Sequence, residues 1–309
     1  MNTEILVSPS PDDPIKQRVI EYYTATTPDY AAWSPGLNLH CGYWRWGINP
    51  FDREAMLTEL SRQVLLRLNL PPDGSACLAD LGGGTGATAR TAVEAYPGLS
   101  VDVITLVPLH VETGRRLNRQ ASRGTAIRMC LADYASTGLD SECYDAVTLI
   151  ESACHAEGST KQAVLDEAYR LLKPGGRLVL AEAMLTGALR QQTLIQRGVG
   201  WIYRQWCLAW AVPEMCRADQ MATALTASGF TDCKIEDWSW RVAPSIAHIP
   251  LFATLFTLRA LLDPQPLTRW RWRHIQASLL SPLLGLCRRS FAYVAVVARK
   301  PHLTDTLPD

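Results

Sequence analysis

The sequence predicts an α/β fold: an open, mostly parallel seven-stranded sheet with helices on both faces, an N-terminal helical lid, and an apolar, Arg-rich cap inserted between the last two strands. Three observations lead there. From Cys77 onward, short apolar runs alternate with helical stretches of about ten residues, the pattern of βαβ units. A Gly-rich turn stands where the first of those runs ends. Between the last two apolar runs lies an insertion of roughly fifty residues, too long for a simple connection.

The elements follow in order. Residues 1–14 carry Ser, Pro and Asp without a basic or apolar leader pattern, and read as a disordered tail. From Ile15 to Trp46 the chain is aromatic and broken by Pro28, Pro35 and Gly36, so a short helix followed by an irregular lid is expected. Apolar residues at helical spacing mark a helix over Arg53–Leu70, ended by Pro71-Pro72-Asp73-Gly74. Strands are predicted at Cys77–Leu81, Ser100–Val107, Ala126–Cys130, Ala146–Ile150 and Arg177–Ala181, with helices at Ala87–Tyr96, Val111–Ser122 and Lys161–Leu172 between them. The last third holds a Trp- and Tyr-rich stretch from Ala188 to Met215, a helix at Asp219–Gly229, and strands at Lys234–Trp240 and Phe291–Ala298. Residues 15–74 thus form a lid or cap and 75–187 a ligand-binding core. Residues 188–300 add the cap segments with the last two strands, and 301–309 form a tail.

Composition narrows the function. With 30 basic and 30 acidic side chains in 309 residues the net charge is zero, so no overall field would hold a nucleic-acid backbone. A small, uncharged partner fits better. The nine cysteines show no C-x-x-C spacing and read as reduced, structural thiols of a cytoplasmic protein. The apolar runs Ile249–Leu262 and Ile275–Cys287 fall short of the roughly 17 to 25 residues of a membrane span. In the same region Arg259, Arg269, Arg271, Arg273, Arg288 and Arg289 face a lone Asp263. Residues 249–290 therefore read as a peripheral membrane contact, as a pocket for a phosphate-bearing lipid, or as a solvated basic face. The sequence leaves all three open, and says nothing of oligomeric state.

Asp80-Leu81-Gly82-Gly83-Gly84-Thr85-Gly86 marks the ligand site. Glycines at a strand-to-helix turn let the backbone approach a ligand with no Cβ in the way. Gly82 and Gly84 with Ala87 also satisfy the dinucleotide pattern, which leaves a nicotinamide oxidoreductase as one alternative. Two residues argue against it. Asp80 suits the ammonium of a methionine moiety and not a pyrophosphate, and the acid expected near the end of the second strand is replaced by Thr105.

Taken with Leu131-Ala132-Asp133-Tyr134 and Leu171-Leu172-Lys173-Pro174-Gly175-Gly176-Arg177, the turn resembles the motif series of class I S-adenosylmethionine-dependent methyltransferases, with their Rossmann-like fold. The resemblance covers about Ser75 to Leu185. It implies that Gly82 and Gly84 line the methionine and ribose, that Asp133 bonds the adenine amino group and that Tyr134 packs beside the base. Class I members usually carry an acid where Thr105 stands; Ile104-Thr105-Leu106 is instead similar to the cyclopropane-synthase and sterol-methyltransferase branch. Leu39-His40-Cys41-Gly42-Tyr43-Trp44 and Ile150-Glu151-Ser152-Ala153-Cys154-His155 resemble sterol and tocopherol C-methyltransferases and macrolide and rebeccamycin-type O-methyltransferases. Such enzymes methylate small, largely apolar natural products under an N-terminal lid, which implies Tyr22, Tyr23 and Tyr43 near the cofactor. His40 and His110 are further lid candidates, and Glu151 is expected to face the cofactor.

The resemblance also implies a catalytic pair, with His155 as general base and Glu182 as the carboxylate that orients it. Methyl transfer is an in-line displacement, so alignment and water exclusion do most of the work and a base assists a hydroxyl nucleophile. No set of His, Asp, Glu or Cys has metal-ligand spacing, so metal independence is expected. A cofactor-binding scaffold without turnover is the reading from another class. Aromatic crowding places the acceptor pocket among the lid around Trp33–Trp46, the segment Trp201–Trp210 and the insertion Ile249–Leu286.

Overall fold

The chain was analysed as a computed structural model that describes residues 13–72, 74–189, 193–262 and 267–302. The tails expected at 1–14 and 301–309 lie almost wholly outside those residues, as does Asp263.

Helix α1 (Pro14–Trp33) opens the fold with Asp13 as its N-cap, whose carboxylate accepts from the amides of Ile15 at 2.9 Å and Lys16 at 3.2 Å. A capped start with proline in the first turn is a strong nucleus. The helix runs 20 residues and passes through Pro28, so the short helix expected before the lid is corrected to a long one. Tyr22 and Tyr30 are buried by tertiary contacts on this helix, and that packing overrides the local cost of the proline. Residues 34–52 then form an irregular strap that leads to α2 (Arg53–Leu68). Leu60, Val64, Leu65 and Leu68 of α2 pack in one cluster with the inner residues of the sheet.

The sheet carries β1 (Ala76–Leu81), β2 (Leu99–Thr105), β3 (Ile127–Leu131), β4 (Tyr144–Ile150), β5 (Leu172–Leu185), β6 (Thr231–Asp237) and β7 (Phe291–Arg299) in the order β3-β2-β1-β4-β5-β7-β6. Strands β1 to β5 pair in parallel, and β7 runs antiparallel between β5 and β6. Helices α3 (Ala87–Ala95), α4 (Pro108–Asn118), α5 (Gln162–Leu171) and α7 (Ala218–Ala227) complete the layers. One apolar cluster lies on the α5 and α7 face and a second on the α2 and α3 face. The strand order reverses at β1/β4, where open α/β sheets open a crevice at the strand ends.

Two strands differ from the sequence reading by more than the usual one or two residues at their ends. The fifth strand begins at Leu172, and Lys173–Gly176 loop out of the ladder where the pairing jumps from Leu172 to Arg177. The sixth strand spans Thr231–Asp237 and not Lys234–Trp240. Asp237 accepts the Ser239 amide at 2.8 Å, and this turn starts the next helix in place of more strand.

That helix, α8 (Ser239–Leu262), packs on α9 (Arg269–Leu286), which in turn packs on α6 (Leu194–Ala209) and α1. Helix α6 starts with a capping box between Thr193 and Gln196. The three helices α6, α9 and α8 form the predicted cap. The expectation that no apolar run reaches the length of a span is corrected, because the helix begins ten residues before Ile249. Its Ser239–Arg259 window, 21 residues with mean hydropathy 1.2, is long and apolar enough to cross a membrane. In the fold it lies against α1, α2, α9 and β7, with Val242 fully buried.

Because α2 shares a cluster with the sheet, Leu65→Ala should lower the free energy of unfolding by about 2–5 kcal/mol and leave a single cooperative transition. Denaturant unfolding followed by circular dichroism checks this. A separate early transition for the N-terminal region would contradict it.

Candidate active site

The carboxyl ends of β1, β2 and β4 converge on one pocket. Its floor is the turn after β1, where Gly82 has φ +75° and Gly84 φ +55°, backbone that side-chain-bearing residues rarely adopt. A Cβ on Gly82 would collide with Ser152, and one on Gly84 would lie 2.8 Å from Leu39 of the strap. The strap therefore closes directly on the turn.

Asp80 precedes the turn with its side chain fully buried. Its Oδ1 accepts from Thr148 Oγ1 at 2.8 Å, while its Oδ2 is buried with no partner. Burial raises the carboxyl to about 6, and the Thr148 bond only partly offsets that. A buried carboxylate oxygen without a donor is costly unless a ligand supplies one. An ammonium is the chemistry that fits.

The other expected cofactor residues divide. Thr105, Leu106, His110, Tyr134, Glu151 and Tyr23 line the pocket, and His40 joins them. Thr105 Oγ1 accepts from the Val107 amide at 3.2 Å and lies 3.4 Å from His110 Nδ1, so it shapes the turn after β2. His110 Nε2 meets Thr27 Oγ1 at 2.8 Å and ties that turn to α1. Burial lowers His110 to about 3 and His40 to about 4, which keeps both rings neutral. Tyr134 donates to the Ser152 carbonyl at 3.1 Å.

Three expectations are corrected. Tyr22 faces away from this pocket: its hydroxyl meets His274 Nδ1 at 2.6 Å and its ring lines the acceptor-side cavity. Tyr43 packs edge-on against Trp238 in the α2-side core. Asp133 is absent from the pocket lining, because its carboxylate pairs with Lys16 of α1 at 2.8 Å and accepts the Ala135 amide at 2.8 Å.

Beyond the pocket, under α1, α6, α8 and α9, lies a cavity of about 380 Å³ with a largely apolar lining. The lid, α6 and the insertion contribute as expected through Leu39 and Cys41, Trp206 and Trp210, and Ile249 with Ser281, Pro282 and Leu284. Trp46 and Trp201 are instead exposed. Tyr23, Glu151 and His155 line both the pocket and this cavity, so they stand at the junction. Glu151 sits at φ +47° and accepts from the Cys41 amide at 2.8 Å and the Tyr293 hydroxyl at 2.9 Å. Burial raises its carboxyl to about 7.

His155 Nε2 lies 3.0 Å from the Tyr23 hydroxyl, and its Nδ1 lies 3.3 Å from the Ala211 carbonyl. A carbonyl can only accept, so Nδ1 carries the proton and Nε2 is the basic atom. Burial lowers the ring to about 4, which keeps it neutral. Glu182 is not its orienting partner. That carboxylate is buried, accepts the Cys154 amide at 2.7 Å and lies 3.5 Å from Cys216 Sγ.

Sequence reasoning missed the residue that holds this corner together. Lys161 is fully buried, with its ammonium donating to the carbonyls of Ala156 at 2.6 Å, Glu214 at 2.8 Å and Cys154 at 3.5 Å. It joins the loop that carries His155 to the segment whose Ala211 carbonyl orients the ring. A lysine beginning a predicted helix carried no signal of burial. His274 was missed as well; the indole N–H of Trp210, in a segment the sequence did single out, is buried with no partner among the described residues. The Arg-rich segment is partly spoken for: Arg271 pairs with the buried Asp29 at 3.0 Å and Arg288 with Asp237 at 2.7 Å. Among the described residues no group of three His, Cys, Asp or Glu is placed to hold a metal ion.

The comparisons fit this geometry. A methyltransferase-domain family model matches residues 78–176. An O-methyltransferase of Pyrenophora dematioidea is 27% identical over 207 residues, 67% of this chain and 73% of that protein. A sterol 24-C-methyltransferase of Kluyveromyces lactis is 24% identical over 178 residues, 58% of this chain but only 45% of that protein. Among solved structures, the [4+2]-cyclase SpnF superposes with TM-score 0.72 at 22% identity, covering 94% of this chain and 98% of that one. The chain carries a methyltransferase domain and is an S-adenosylmethionine-dependent methyltransferase. Its cofactor is S-adenosylmethionine, and the nicotinamide reading of the glycines falls. The turn and the buried, unpartnered Asp80 oxygen fit the ammonium end of that cofactor, which when bound supplies a methyl group on a sulfonium.

Since the Asp80 carboxyl titrates near 6 and must be ionised to meet an ammonium, S-adenosylhomocysteine affinity should fall as pH drops below about 6, by up to about tenfold per unit. Asp80→Asn should bind weakly at all pH values and lose that dependence. Calorimetry from pH 5 to 8 checks both. Gly84→Val, which pushes into Leu39, should fold and fail to bind.

Proposed function

We propose that this enzyme transfers the methyl group to carbon or oxygen of a small lipophilic acceptor of the terpenoid, sterol-like, prenylated or polyketide kind. The observation that carries this is the 380 Å³ apolar cavity meeting the cofactor pocket at Tyr23, Glu151 and His155. Pockets lined this way bind apolar ligands and orient them with a few polar groups. The relatives point the same way, since the two quoted by name act on oxygen and on a sterol carbon.

The chain's own residues then have defined tasks. Asp80 holds the cofactor's ammonium, and the turn at Gly82–Gly84 fixes its depth. The cap aligns the acceptor and excludes water, worth on the order of 7 to 11 kcal/mol in reactions of this kind. His155 Nε2 takes the proton from an acceptor hydroxyl, or from the cation left by methylation of an alkene. Nδ1 stays protonated against Ala211, and Lys161 keeps both segments in place. Tyr23 shields Nε2 until the acceptor enters. A cytoplasmic location is proposed separately, supported by nine free cysteines with no C-x-x-C spacing.

His155→Ala should lower the single-turnover rate by about 10² or more with S-adenosylhomocysteine affinity unchanged, because the base acts mainly in the transition state. Tyr23→Phe should stay within about tenfold of the parent. Rapid-quench measurements with a hydroxylated terpenoid acceptor check both. A full rate in His155→Ala across pH 6 to 9 would remove the base from the mechanism, and tight cofactor binding with no turnover on any acceptor would favour the scaffold reading.

A further inference from the structure

The three cap helices are apolar on both sides. Their inner sides line the acceptor cavity, yet each also presents a stripe to solvent. On α6, Leu194, Trp201 and Leu208 are exposed at intervals of seven residues. On α9, Trp272, Leu279 and Leu286 repeat the same interval. On α8, Trp240, Leu251 and Leu258 are exposed. At about 100° per residue each set falls within roughly 40° of one line along its helix. Since α9 packs between α6 and α8, the stripes cover the outer side of one layer.

The charge of this layer is one-sided. The helices α6, α8 and α9 contain seven arginines and no aspartate or glutamate, in a chain whose net charge is zero. Arg204, Arg259 and Arg269 are exposed. An apolar stripe flanked by arginines is the make-up of a helix lying in the plane of an anionic membrane surface. A second copy of the chain fits poorly, because a two-fold contact through this face would set its arginines against themselves. Spanning fits poorly too, since the inner side of α8 is committed to the fold through Val242, Ile249 and Ala253.

The cavity reaches the surface on this same layer. Most of its lining is covered, but Trp240 is 77% exposed and Leu286 is 80% exposed, where α8 begins and α9 ends. Arg288 lines the cavity beside them, with its guanidinium over the Trp240 ring.

We propose that the outer face of the α6–α9–α8 layer docks in-plane on an anionic lipid surface, and that the acceptor enters from the bilayer through the gap between Trp240 and Leu286. The route of entry rests on the lipophilic-acceptor reading; the docking does not. Vesicle co-sedimentation of the full chain, without acceptor or turnover, tests the docking. The protein should pellet with vesicles of phosphatidylcholine mixed with phosphatidylglycerol, pellet at least about fivefold less with phosphatidylcholine alone, and release partly as salt rises. The double variant L251E/L258E and the single variant Leu279→Glu should lose most of that binding while keeping parental S-adenosylhomocysteine affinity, which shows that they fold. Their turnover on a detergent-dispersed acceptor should match the parent, and their turnover on vesicle-borne acceptor should drop. Failure of the parent to bind anionic vesicles would overturn the proposal. So would a concentration-dependent dimer that the same substitutions abolish, which would assign the face to a second copy. Absence of turnover on dispersed acceptor, with vesicle binding intact, would count against the acceptor reading and the route of entry, leaving the docking in place.

Discussion

One carboxylate oxygen organises this molecule. Asp80 stands at the end of β1, fully buried, with Thr148 on one oxygen and no partner among the described residues on the other. The fold leaves a negative charge half satisfied at the point where strand order reverses, and burial pushes the group up toward neutrality. The surrounding structure is arranged about that oxygen. The glycines of the turn keep Cβ atoms out of the space above it, the strap closes through Leu39, and α1 closes through Tyr23.

The acceptor side obeys a different physics. Its cavity is apolar, and its polar groups are few and individually held. Glu151 is fixed by an amide and a phenol, and His155 by a carbonyl and a phenol. Lys161 holds the loop beneath them by donating to three carbonyls, which matches the three donors of its ammonium. Keeping His155 neutral by burial and keeping its proton on Nδ1 through Ala211 are separate devices. Together they leave a single basic nitrogen facing the junction of the two sites.

Sheet and turn were legible in the sequence because their causes are local. Apolar runs between helical stretches place the strands, and Asp80 with its glycines announces the ligand end of the first. Errors appear where tertiary contacts decide. Pro28 suggested a break, but burial of Tyr22 and Tyr30 carries α1 through it. Ile249 marks where α8 becomes strongly apolar, while the Asp237 to Ser239 turn sets where it begins. Site residues assigned by resemblance fared unevenly for the same reason. Tyr23 and His155 meet across the junction, whereas Asp133 is taken by Lys16 and Glu182 by the Cys154 amide. No pattern in the sequence announced those partners. Lys161 was invisible because its burial depends on two carbonyls of the neighbouring 154–156 loop and on one, Glu214, 53 residues away.

The most direct test is a crystal structure of the chain with S-adenosylhomocysteine. The account predicts the ligand's ammonium within about 3.2 Å of Asp80 Oδ2, with its sulfur facing the junction at Tyr23, Glu151 and His155. A ligand bound with its ammonium elsewhere and the Asp80 oxygen still without a partner would contradict it.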